Sequence, residues 1–123
     1  MSDVLLVEDE PDVAELVQDA LVEAGLSVSV AHTDRAAYEK LEHEPRSFAA
    51  LVADINLGPG TTGFDVARRA RQLNPNLKVI YITGQAAHLA RFGVEEALMY
   101  PKPFDPRELA EQVTILLGVK GSA

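Results

Sequence analysis

Leu51-Val52-Ala53-Asp54-Ile55-Asn56 runs three apolar residues straight into an acid. A turn-rich segment follows, Leu57-Gly58-Pro59-Gly60-Thr61-Thr62-Gly63. A short strand that is apolar on both faces is the mark of a buried strand in a parallel sheet. An acid at its end is then delivered to the rim of that sheet. A lone Asp could equally be a helix cap or a loop acid. Its meaning turns on what other strands bring to the same rim.

Upstream of this stretch, residues 3–7 read as a strand, with Val4, Leu5, Leu6 and Val7 continuous. Glu8-Asp9-Glu10 follows, then Pro11, which suits the first turn of a helix because its missing N–H costs nothing there. Val13, Leu16, Val17, Ala20 and Ala24 mark the expected inner face, and Gly25 stops the helix. Residues 26–31 alternate and predict a second strand toward an edge. Thr33 or Asp34 can cap a second helix with Ala37 and Leu41 inward. Residues 48–53 form the strand that leads into Asp54.

Downstream, residues 63–74 predict a third helix, with Val66, Ala70 and Leu73 inward and Arg68, Arg69 and Arg71 on the wetter side. Asn74-Pro75 ends it. Residues 78–82 (KVIYI) are a β-branched strand running into Thr83-Gly84, and residues 85–92 a short helical segment. Residues 97–100 give a fifth strand, ending at Pro101-Lys102-Pro103. Asp105-Pro106-Arg107-Glu108 combines an acid cap, a first-turn proline and a glutamate three residues after the cap. Leu109, Val113 and Leu116 line the inner face of the last helix, Ile115 falls almost opposite, and Gly118 ends it. Strands alternating with helices in this way imply an α/β fold, a doubly wound parallel sheet covered on both faces. Ligands of such sheets sit beyond the carboxyl ends of the strands.

Composition narrows the function. The chain has 123 residues, 47% hydrophobic and 24% charged, as an ordinary globular domain does. It has no cysteine, which excludes disulfides, thiolate metal sites and thiol catalysis. A net charge of −8 argues against direct nucleic-acid binding and against an anionic membrane surface. No signal-peptide pattern opens the chain, and no apolar run approaches the roughly 20 residues of a membrane span. The expectation is one cytoplasmic domain over residues 1–120 with a loose tail at 121–123.

Four of the five strands place chemistry at one rim: Glu8 and Asp9 after the first, Asp54 after the third, Thr83 after the fourth and Lys102 after the fifth. Clustered carboxylates repel unless a cation joins them. A hard divalent ion such as Mg²⁺ suits carboxylates, a carbonyl and water. With a lysine and a hydroxyl beside them, these groups can hold a phosphoryl group in flight, and a free carboxylate is a plausible nucleophile.

Leu5-Leu6-Val7-Glu8-Asp9-Glu10, Asp54 after an apolar strand, Ile82-Thr83-Gly84 and Lys102-Pro103-Phe104, in that order on alternating elements, resemble the response-regulator receiver domain, the CheY-like family. The resemblance implies a flavodoxin-like three-layer fold with strand order 2-1-3-4-5. It implies that Asp54 accepts a phosphoryl group from a histidine kinase or a histidine phosphotransfer protein. Asp9 and Asp54 would bind Mg²⁺, Glu8 largely through water, and Asn56 through its backbone carbonyl. Thr83 and Lys102 would contact the phosphoryl oxygens. The product would be a switch that controls a downstream protein, with no output domain of its own, no turnover of an external substrate, and a homodimer left open.

The chain departs from the family pattern in three places. The loop from Asp54 to Gly63 is one residue longer than usual, and the segment from Thr83 to Lys102 is shorter. Met99 stands where the family has a rotating aromatic, and alternation points Tyr100 to the opposite face. The expected signal is therefore a change of order in residues 85–92. Two other readings compete: an Mg²⁺-dependent aspartate-nucleophile phosphatase, which wants a second acid where this chain has Asn56, and a flavin-binding module, which wants a glycine-rich loop where it has Glu8-Asp9-Glu10. His32, His43 and His88 are scattered and read as surface histidines. Arg68, Arg69 and Arg71 read as a solvated helix face.

Overall fold

The apolar runs form strands and the periodic stretches form helices, in the computed structural model that describes residues 3–43, 47–55, 63–83, 97–101 and 104–118. In chain order they are β1 (Val4–Val7), α1 (Pro11–Glu23), β2 (Val28–Ala31), α2 (Asp34–His43), β3 (Ala50–Asp54), α3 (Gly63–Leu73), β4 (Lys78–Thr83), β5 (Leu98–Pro101) and α4 (Pro106–Leu117). All pairings are parallel and the order is β2-β1-β3-β4-β5, as the resemblance implied. The expected helical segment at 85–92 and the tail at 121–123 lie outside the described residues.

Strand alternation splits the core into two layers. Val4, Leu6, Ala50, Val52, Ile80 and Ile82 pack against α1 and α4, through Val17, Leu21, Leu109 and Val113. Leu5, Val7, Leu51, Ala53, Val79 and Tyr81 face α2 and α3, through Ala37, Leu41, Phe64, Val66 and Ala70. Phe64 meets Tyr81 edge-on, ring centroids 4.9 Å apart, the arrangement aromatic quadrupoles favour. Each fully buried aliphatic side chain stabilises the fold by about 1.5–3 kcal/mol relative to exposure. The central strands β1 and β3 are buried along their whole length, which is why they read as continuous apolar runs.

Helix ends follow their punctuation. Thr33 Oγ1 accepts from the Ala36 N–H at 3.1 Å, so Thr33, not Asp34, caps α2. Asp105 Oδ1 accepts from the Arg107 N–H at 2.9 Å and opens α4. After α1, Gly25 takes φ 93° and Leu26 N–H returns to Leu21 O at 3.1 Å, a closure that only a left-handed residue permits. Gly118 closes α4 with φ 68°.

The inner face of α1 differs from the sequence expectation: Leu16 leaves it, and Ala14 and Leu21 join it. Leu16 is 60% exposed, while Leu21 is wholly buried. The buried stripe is Ala14, Val17, Ala20 and Leu21. At about 100° per residue, Leu16 lies about 160° round the axis from Ala14 and about 140° from Leu21, outside that stripe. Ile115 is 66% exposed on α4, as expected.

Candidate functional site

Register builds the rim. Val7 pairs with Ala53 and Asp54 with Ile82. Glu8, one residue past β1, therefore stands beside Asp54. Alternation along β3 turns Asp54 toward the α1 and α4 side, with Val52. Glu8 and Asp54 are the buried charged residues among the described ones, 0% and 3% exposed. Asp9 and Glu10 are exposed.

Burial removes Glu8 from water and raises its carboxyl to about 8; the hydrogen bond from the Glu10 N–H opposes this, while Asp54 and Asp9 add to it. Glu8 Oε2 accepts from that Glu10 N–H at 3.1 Å. A wholly buried carboxyl is tolerated only when protonated, paired or bound to a cation. One carboxylate oxygen from each of Glu8, Asp9 and Glu10 lies within 4.8 Å of the others, and the Asp54 carboxyl is close enough to raise that of Glu8. The donors are all hard oxygens, the set that a small divalent cation such as Mg²⁺ prefers.

Of the residues expected at the site, Glu8, Asp9 and Asp54 are thus gathered around the ends of β1 and β3. Thr83 is the last residue of β4, one step beyond the partner of Asp54, and pairs with Pro101. Asn56 and Lys102 lie outside the described residues. Met99 packs on the α2/α3 side and Tyr100 on the α1/α4 side, as alternation required. Burial, then the Glu108 charge, raises the Tyr100 phenol.

Three features escaped the sequence reading. A Cβ on Gly63 would lie 2.2 Å from the Asp54 carbonyl oxygen, so the start of α3 can press on the strand end only without a side chain. Its N–H donates to Ile55 O at 3.0 Å. His32, read as an idle surface residue, is exposed but places Nδ1 3.1 Å from the Glu8 carbonyl oxygen. Glu10 joins the acidic cluster. The adjacent acids signalled Glu10; nothing in the spacing signalled Gly63, which folds back onto the end of its own preceding strand, or His32, which acts from the neighbouring strand.

The comparisons agree with this geometry. Residues 4–114 match the response regulator receiver domain family. The chain is 35% identical over 120 residues to the response regulator receiver protein CpdR of Brucella abortus, covering 95% of this chain and 98% of CpdR. It is 34% identical over 118 residues to the transcriptional regulatory protein TctD of Salmonella typhimurium, covering 92% of this chain but 50% of TctD. A response regulator receiver protein from Sinorhizobium medicae superposes with a TM-score of 0.88 at 31% identity, covering 95% of this chain and 94% of that one. The receiver domain of the hybrid histidine kinase CckA superposes at 0.79 with 27% identity, covering 94% and 98%.

Proposed function

The chain belongs to the response regulator receiver family and is a two-component signalling protein, and from that premise we propose that Asp54 is its phosphoacceptor. The observation that carries this is the end of β3, where Asp54 is 3% exposed against a wholly buried Glu8. The phosphatase and flavin readings find no support among the relatives.

In this reading one receiver domain spans residues 1–120. A carboxylate oxygen of Asp54 attacks phosphorus in a donor phosphohistidine. An O–P bond forms, the N–P bond breaks, and its electron pair leaves on the imidazole nitrogen. Glu8, Asp9, Asp54 and the Asn56 carbonyl would hold Mg²⁺, which supplies charge neutralisation for the phosphoryl oxygens. Glu8 tightens the Asp9-Glu10 turn through its bond to the Glu10 N–H. Thr83 donates a hydroxyl hydrogen bond and Lys102 a positive charge to those oxygens. The donor is a histidine kinase or a histidine phosphotransfer protein. The downstream target is a protein that meets the surface holding Ile115, which stands 66% exposed on α4 away from Leu109 and Val113. The protein turns over no external substrate and works in the cytoplasm. No helix among the described residues is long and apolar enough to cross a membrane.

Intact-mass measurement after incubation with Mg²⁺ and phosphoramidate tests the acceptor. One phosphoryl adduct is expected on wild type, absent with EDTA and absent in Asp54→Ala. An undiminished adduct in Asp54→Ala defeats the assignment.

A further inference from the structure

Strand β2 brings no acid to the rim, yet it brings His32. The ring Nδ1 lies 3.1 Å from the backbone oxygen of Glu8. A carbonyl only accepts, so Nδ1 carries the hydrogen and donates it. We propose that His32 is a positioning residue for phosphotransfer: it holds the Glu8–Asp9 peptide and thereby aims the Asp9 carboxylate. The inference rests on the reading of Glu8 and Asp9 as ligands of the divalent ion.

The peptide group is planar, so fixing the Glu8 oxygen also fixes the N–H and Cα of Asp9. The groups around that peptide are tied down by other bonds. Glu8 N–H donates to Ala31 O at 3.0 Å. Glu10 N–H donates to Glu8 Oε2 at 3.1 Å, and Glu10 O accepts from Ala14 N–H at 3.0 Å, at the start of α1. The Glu8 carbonyl between them is held by His32. Asp9 itself is exposed, so no core packing aims its side chain. The backbone sets where that side chain starts, beside Glu8, and the backbone there is set from β2. Outer partners of metal ligands commonly change affinity about 10- to 100-fold when removed. His32 is exposed too, so losing the ring takes little packing from the fold.

Calorimetric titration with Mg²⁺ on the full chain tests this, beside melting in EDTA and phosphoramidate labelling at saturating Mg²⁺. His32→Leu removes the donor. His32→Asn keeps an N–H on the same branch of the side chain. We expect His32→Leu to bind Mg²⁺ about 10-fold more weakly with an unchanged melting temperature in EDTA, and His32→Asn to recover most of the loss. Wild-type affinity in His32→Leu overturns the inference. So does a loss of affinity that tracks a loss of stability in EDTA and is not recovered by Asn. Asp9→Asn separates the two levels. If it loses Mg²⁺ binding while His32→Leu does not, only the positioning role fails. If Asp9→Asn binds as wild type does, the ligand reading fails and the positioning role with it.

Discussion

The two helical layers differ in kind. α2 and α3 carry Arg35, Lys40, Arg68, Arg69 and Arg71 against Asp34, Glu39, Glu42 and Asp65, so bases slightly outnumber acids. Side chains knit this layer together: Arg69 bonds Glu42 across the two helices, Arg71 Nε donates to Leu77 O, and Asn74 Nδ2 donates to Phe48 O. α1 carries Asp12, Glu15, Asp19 and Glu23 with no base, and α4 sets Glu108 and Glu111 against Arg107 alone. Among the described residues, no ion pair joins α1 to α4. The exposed large hydrophobics Leu16, Val22 and Ile115 are all on this second layer. Asp54 turns to the same side. The lesson is a division of labour. One layer spends its polar side chains on itself, and the other presents charge and apolar spots outward beside the site. Changes in the first should register in stability, and changes on the second in encounters with partners.

The largest effect should come from the closed layer. Gly63→Ala forces a Cβ to within 2.2 Å of the Asp54 carbonyl oxygen, in backbone that cannot yield as a side-chain tip would. Overpacking of this kind costs about 1–3 kcal/mol and occasionally more. Urea unfolding should show a loss at the top of that range, together with slower phosphoramidate labelling. A Gly63→Ala protein as stable as wild type would mean that α3 can lift off β3, and the contrast between layers would weaken.

Next comes the pH dependence of the open side. Glu8 is raised to about 8, first by burial and then by Asp54 and Asp9. Its unfolded value is 4.5. Between the two, the folded state holds a proton that the unfolded state has released, so stability falls as pH rises. The metal-free protein should be steadiest below pH 4.5 as far as this group is concerned, and should lose stability steadily on the way to 8. Glu8→Gln should flatten the slope, and the stabilisation by Mg²⁺ should grow with pH over the same window. A wild-type profile as flat as that of Glu8→Gln, in EDTA, would show that Glu8 ionises freely where it stands.

These cases show where the sequence was legible. Continuous apolar runs named the central strands because burial on both faces leaves no polar position to mislead. Gly25, Gly118 and Asp105 marked helix ends because capping is a local matter. Leu16 was misplaced because α1 has more apolar residues than its buried stripe can take, and periodicity alone does not say which are left outside. Of the site, Glu8, Asp9 and Asp54 were legible as strand-end acids. Gly63 and His32 were not: His32 acts on a residue brought to it by strand order, Gly63 on the strand end its own helix packs back against, and neither has a spacing that reports it.

A smaller effect is expected on the acidic ridge. Glu15 and Asp19 are exposed on α1, and α1 starts beside the site. Glu15→Lys/Asp19→Lys should leave unfolding within about 0.5 kcal/mol of wild type. Labelling by phosphoramidate, a small donor, should not change. Transfer from a phosphohistidine protein should slow about 10-fold at low salt, and the difference should shrink by 0.5 M NaCl as screening sets in. If the protein donor is indifferent to the reversal at low salt, the charge on this layer has another use.

The smallest effect returns to the closed layer. Arg69 and Glu42 meet at 2.6 Å across α2 and α3, but their side chains are 40% and 50% exposed. Water and salt screen such a pair, and holding two long side chains in place costs entropy, so exposed pairs are typically worth about 0.2–1 kcal/mol. Arg69 also bonds Gln72 at 3.2 Å, which gives it a partner on its own helix when Glu42 is removed. A double-mutant cycle of Arg69→Met and Glu42→Gln should therefore give a coupling below about 0.5 kcal/mol, fading in high salt. The layer would then be held by Phe64, Val66, Ala70 and Leu41 in the core, with the ion pair as its outer seam. A coupling above about 1.5 kcal/mol would reverse that order. Charge would be a binding force in both layers, used inwardly by one and outwardly by the other, and the contrast between them would lie in geometry alone.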